Sequence, residues 1–122
     1  MKRILLAAAA AMVIATSVQA QDAVPAKRPT APMPRYVWDI VCMAADNHWK
    51  INGGQKLTAA DEQASIRLIK AAEESGKPLG KTMQNVGDDM MPHFAAYLNN
   101  PRAYFKLTAG EMRAHCLTVL GK

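Results

Sequence analysis

Residues 36–50 read YVWDIVCMAADNHWK. Trp38, Cys42, Ala45 and Trp49 fall at i, i+4, i+7 and i+11, which is one stripe of an α-helix and the wrong period for a strand. Asn52, Gly53 and Gly54 follow, and such residues tolerate the left-handed backbone that ends a helix. Working outward, no alternating run is long enough for a strand, and no Asn-Gly turn joins two such runs. The chain is therefore expected to be all-α, a small bundle of four to five helices.

C-terminal to this helix, Thr58 and Asp61 have the spacing of a capping box, in an acidic variant. Ala64, Leu68 and Ala71 form the next stripe, widened by Ile69 and Ala72. Gly76 is the expected C-cap, with Pro78 confirming the stop. Residues 78–87 predict a short helix carrying Met83 and Val86, or an irregular turn. Residues 88–94, DDMMPHF, predict a helix start with Asp89 as N-cap and Pro92 in the first turn, where a missing N–H removes no helical bond. Asn99–Pro101 should end that helix and cap a short one carrying Tyr104 and Phe105. Thr108-Ala-Gly-Glu111 is a full capping box, and Leu107 and Met112 stand where a hydrophobic staple belongs. Met112, Cys116, Val119 and Leu120 make the last stripe.

N-terminal to the first helix, residues 1–20 carry Lys2 and Arg3, an apolar run over residues 4–15, and Val18-Gln19-Ala20 as a small-residue cleavage site. That order predicts a secretory signal peptide cut after Ala20, with an apolar run too short for a membrane span. The polyalanine run and short charged start suggest a bacterial chain bound for the periplasm or beyond the cell, with no stable membrane insertion after cleavage. Residues 21–35 hold four prolines and almost no bulky apolar side chain, and are expected to be a disordered tether. The helical domain is then residues 36–122. Without Lys2 and Arg3 the chain has thirteen basic and ten acidic residues, a formal charge of +3. No basic cluster interleaves with aromatics, so nucleic acid is not an expected partner.

Cys42 and Cys116 are the two cysteines, each on its own helix stripe. Export to an oxidising compartment pairs them in a structural disulfide between the first and last helices. A redox pair needs cysteines close in sequence, and zinc or haem attachment needs a C-x-x-C pair. Neither pattern is present. Ser65 and Ser75 lie on a helix without a strained glycine turn, and the paired carboxylates Asp61-Glu62, Glu73-Glu74 and Asp88-Asp89 sit at helix ends. No catalytic constellation or resident cofactor follows.

In outline the chain resembles the small disulfide-tied helical proteins of the bacterial periplasm, among them acid-stress chaperones and immunity proteins. The resemblance is one of size, export and cysteine placement, and it carries no residue across. The expected function is non-enzymatic binding of another protein, of inhibitor, immunity or chaperone type. Its candidate contact surface is Met90, Met91, Phe94, Tyr97, Tyr104 and Phe105. The alternative is a copper or other soft-metal site from Met83, Met90, Met91 and His93, since thioethers and imidazoles suit such ions.

Overall fold

A computed structural model describes residues 28–100, 102 and 106–121. The signal-peptide expectation, residues 21–27 of the expected tether, and Tyr104 and Phe105 lie outside the described residues. The described chain forms four α-helices: α1 (Pro32–Asn52), α2 (Ala59–Gly76), α3 (Met83–Asn99) and α4 (Ala109–Leu120). A single 3-10 turn, Lys77–Leu79, follows α2. No strand occurs among the described residues. The fold is an all-α bundle, as the helical periods predict.

Helix α1 is the hub. It packs against each of the other three, which touch one another far less. One stripe is therefore too little for it. Trp38, Cys42 and Ala45 face α4, while Tyr36 and Ile40 face α3, and all are buried. Asp39 and Asp46 are buried as well, on the side toward α2. The Cys42–Cys116 disulfide ties α1 to α4 across 74 positions, with Cα atoms 5.9 Å apart. That separation lies within the range a disulfide spans without moving the backbone.

Helix α1 begins at Pro32, four residues before the expected start, which corrects the tether boundary. Pro32 and Pro34 occupy positions whose N–H groups have no intrahelical acceptor, so proline costs no bond there. The first helical bond is donated by Arg35 N to Ala31 O, at 3.0 Å. The segment ahead of it is also tied down. The Arg28 guanidinium makes a two-pronged ion pair with Asp39 and donates to Ala71 O of α2. Residues 28–35 thus belong to the folded domain.

The start of α2 is the expected one, with Thr58 and Asp61 capping each other reciprocally. Its buried face is rotated from the expected stripe: Ser65, Leu68, Ala72 and Ser75 point inward. Both serine hydroxyls donate to carbonyls of the preceding turn, Asp61 O at 3.1 Å and Ala71 O at 3.0 Å. Satisfied in that way, serine serves as a small core residue. The end of α2 also differs. Gly76 keeps a right-handed helical conformation, and the left-handed residue is Gly80, with φ 72°. Gly76 is instead a site of close approach: a Cβ there would stand 3.0 Å from Tyr36 Cε1 and from Lys81 Cβ.

Helix α3 corrects the reading of residues 88–94. It starts at Met83, with Thr82 as N-cap and Asn85 completing the box. Asp89 is not a cap, and Pro92 lies inside the helix. An interior proline forfeits one backbone bond. The helix continues because Val86, Met90 and Tyr97 form one face packed on the core. Helix α4 has the expected capping box, and its Met112 and Cys116 are fully buried.

The apolar interior divides in two. One cluster surrounds the disulfide, with Trp38, Val41, Leu68, Tyr97 and Met112. The other, Tyr36, Ile40, Ala72 and Val86, fills the opposite end of α1 between α2 and α3. Met43 and Met90 touch both.

Candidate functional site

The first turns of α1 and the middle of α3 lie side by side and leave a groove of about 250 Å³. Met33, Val37 and Ile40 of α1 line one wall, and Asp88, Asp89, Pro92 and His93 of α3 line the other. Tyr36 and Lys81 close one end. Met33 is 53 % exposed and Val37 42 %, so the apolar wall faces water. The early start of α1 is what places Met33 there, one turn ahead of Val37.

The polar end is a connected set. Tyr36 donates its phenol O–H to Asp89 Oδ2 at 2.6 Å, and Lys81 Nζ stands 3.0 Å from the same oxygen. The Lys81 ammonium also sits over the Tyr36 ring, 5.5 Å from its centroid. Burial, helped by the Asp89 acceptor, pushes the Tyr36 phenol well above its usual range. The bond from Tyr36, then the one from Lys81, holds the Asp89 carboxyl below the ordinary carboxylate value. Burial pulls the His93 imidazole below its ordinary value, with the Asp89 charge opposing. At neutral pH the groove therefore presents a carboxylate, an ammonium, a neutral imidazole and an un-ionised phenol.

Tyr36→Phe tests this set. It removes the largest cause of the lowered Asp89 value, so the carboxyl titration followed by NMR moves up toward the ordinary range. The stability loss is about 1 kcal/mol, below the usual range for a bond to a charged group, because more than a third of the Asp89 side chain is exposed and solvent screens it. An unmoved Asp89 titration would mean that the phenol is not its partner.

A second charged set lies at the other end of α1. Arg113 Nε donates to Asp46 Oδ1 at 2.6 Å, Lys50 Nζ stands 3.5 Å from Asp46 Oδ2, and Arg113 Nη2 reaches Asp61 Oδ1 at 3.4 Å. The guanidinium also stacks on Trp49, 3.8 Å from the ring centroid. These contacts join α1, α2 and α4, and every member is engaged within the fold. Beside them lies a larger hollow of about 390 Å³ bounded by His48, Trp49, Arg102 and Gly110. The sequence neighbours of Arg102 lie outside the described residues, so the α1/α3 groove is the better-defined site.

The expected contact surface does not hold together. Tyr97 is fully buried, in the cluster around the disulfide, so it is core and not surface. Met90 and Phe94 are partly buried against that same core, and Met91 alone of the described members is prominently exposed, at 55 %. The proposed soft-metal ligands do not converge either. Met83, Met90 and His93 line three separate depressions, and Met91 lines none of the three. Neighbouring side chains on a helix point about 100° apart, and α3 is continuous through all four residues. Among the described residues, no group of three or more His, Cys, Asp or Glu is placed to hold a metal ion.

His48 stacks near Tyr97, and His115 meets Trp38 edge-on, so the three histidines occupy three different places. Of the described sequence-predicted site residues His93 alone lines the groove, and it does so as a member of the alternative metal set, while Asp88 and Asp89 read from the sequence as helix-end groups. The sequence places Met33 in the tether and Val37 and Ile40 in the first helix, so nothing local brings the three onto one wall. The signal available was Pro32 and Pro34, both acceptable within a first helical turn. No helix among the described residues is long and apolar enough to cross a membrane. No protein-family model matches the chain, and neither the curated proteins nor the solved structures provide a match.

Proposed function

We propose that this is an exported, periplasmic or secreted helical domain that acts without catalysis, by binding another protein in the α1/α3 groove. The observation that carries the reading is the exposed pair Met33 and Val37, one helical turn apart, facing Pro92 across an open groove with charged groups at one end. Apolar side chains beside a polar rim are the usual make-up of a protein contact. The groove's titratable groups support the non-catalytic part, since Asp89 is occupied by Tyr36 and Lys81. The disulfide fits the oxidising compartment of an exported chain.

Site-specific photo-crosslinking in exporting cells tests the reading. A crosslinker at Val37 should give a discrete protein adduct that disappears with Met33→Asp. The same crosslinker at Ile66, exposed on α2, should not. Identical adducts from both positions, or none from Val37, would remove the groove as a binding site.

A further inference from the structure

The two halves of the core are held by different means. The cluster around Cys42 and Cys116 is crossed by a covalent bond. The Tyr36, Ile40, Ala72 and Val86 cluster has no such tie, and Tyr36 belongs at once to that cluster and to the polar set at its rim. Lys81 and Asp89 complete the set, joining the turn before α3 to α3 itself, while the Tyr36 hydroxyl joins both to α1. We propose that Tyr36, Lys81, Asp89 and His93 form an acid-sensitive latch, which releases the N-terminal half of α3 from α1 while the disulfide keeps α1 and α4 together.

The groups facing this rim are Tyr36 from α1, Lys81 from the turn, and Asp88, Asp89 and His93 from α3. Helix α2 contributes no side chain to the groove lining and stands behind it through Ala72 and Gly76. On its other side Lys81 shares a shallow depression with Glu73 of α2 and Lys77 of the 3-10 turn. Protonating Asp89 removes the ion-pair partner of Lys81 and weakens the phenol bond. Protonating His93 places a cation in a half-buried position, although the Asp89 charge offsets part of that cost. Both events push the same way. A buried imidazole whose value is lowered on folding favours the closed state above the ordinary value of 6.5, and that preference drains away as pH falls below it. A carboxylate whose value is lowered on folding contributes in full above the ordinary 3.8, and its contribution is lost as pH falls through the folded value. Release therefore proceeds in two windows and uncovers Ile40 and Val86, whatever occupies the groove at neutral pH.

Hydrogen exchange of the full oxidised chain, corrected for the intrinsic pH dependence of amide chemistry, tests the latch. Between pH 7 and pH 3, protection over residues 83–93 should fall, first below pH 6.5 and again below pH 3.8. Protection over residues 42–49 and 109–120 should hold. His93→Gln should abolish the part of the change below pH 6.5, and Asp89→Asn should loosen residues 83–93 already at pH 7 and abolish the part below pH 3.8. An equal loss of protection in α4, no change down to pH 3, or a wild-type profile in both variants would overturn the proposal. Because the measurement needs no partner, its outcome is independent of the crosslinking result.

Discussion

Removing the disulfide lowers the unfolding free energy by about 4 kcal/mol, the chain-entropy value for a loop of this length. Against a typical domain stability of about 5–15 kcal/mol, that loss decides whether a chain of this size stays folded. Both sulfurs are buried, at 1 % and 0 % exposure, so the replacement matters as well. A Cys42→Ala/Cys116→Ala pair leaves a small cavity. A Cys42→Ser/Cys116→Ser pair adds two hydroxyls that need partners in an apolar cluster, and should be less stable still. Urea unfolding of the oxidised and the reduced protein measures the difference directly. The reduced midpoint should fall sharply, and the denaturant slope should rise because the uncrosslinked chain expands further. A midpoint unchanged on reduction would mean that packing alone holds α1 to α4.

Arg28→Ala should cost about 3–5 kcal/mol, the penalty for leaving one member of a buried ion pair without the other. The Asp39 side chain is 0 % exposed, and Arg28 is its ion-pair partner. The effect is large for a residue in a proline-rich stretch that composition alone marks as a linker. Replacing both members with apolar residues, as Arg28→Met/Asp39→Leu, should recover most of the loss, since a buried ion pair gains little over good apolar packing. Denaturant unfolding of the three variants separates the cases. If Arg28→Ala alone is neutral, Asp39 is solvated and the segment before α1 is free.

The buried polar residues show where sequence reading stops. Asp39 and Asp46 lie within the stretch that establishes α1, yet a charged residue between apolar ones reads as a solvent-facing position. Their burial depends on Arg28, Arg113 and Lys50. Arg113 is 67 positions from Asp46, beyond the reach of any local pattern. The same holds for the groove. Residues 88–94 are unusual in the sequence, and Val37 lies within the stretch that establishes α1, but Met33 joins Val37 on one wall only because α1 starts at Pro32. The start of α3 stays open in the sequence, between a short helix carrying Met83 and an irregular turn, for a local reason: Thr82 and Asn85 form a capping box with the shorter asparagine in place of the more common glutamate or glutamine.

By itself, the amino-acid order determined the helical class, the capping boxes at Thr58 and Thr108, the helix-ending glycines after α1, and the pairing of Cys42 with Cys116. The first three depend on residues within four or five positions of one another, so backbone sterics and local hydrogen bonds write them directly into the chain. The fourth follows because two cysteines allow a single internal pairing. Tertiary structure alone decided that α1 is buried on three sides, that Ser65 and Ser75 are core, that Tyr97 is interior, and that Tyr36 meets Asp89. Each of those depends on which helix arrives at a given face. That choice is made by the summed burial and charge pairing of segments far apart in the chain, and no single window of sequence contains it.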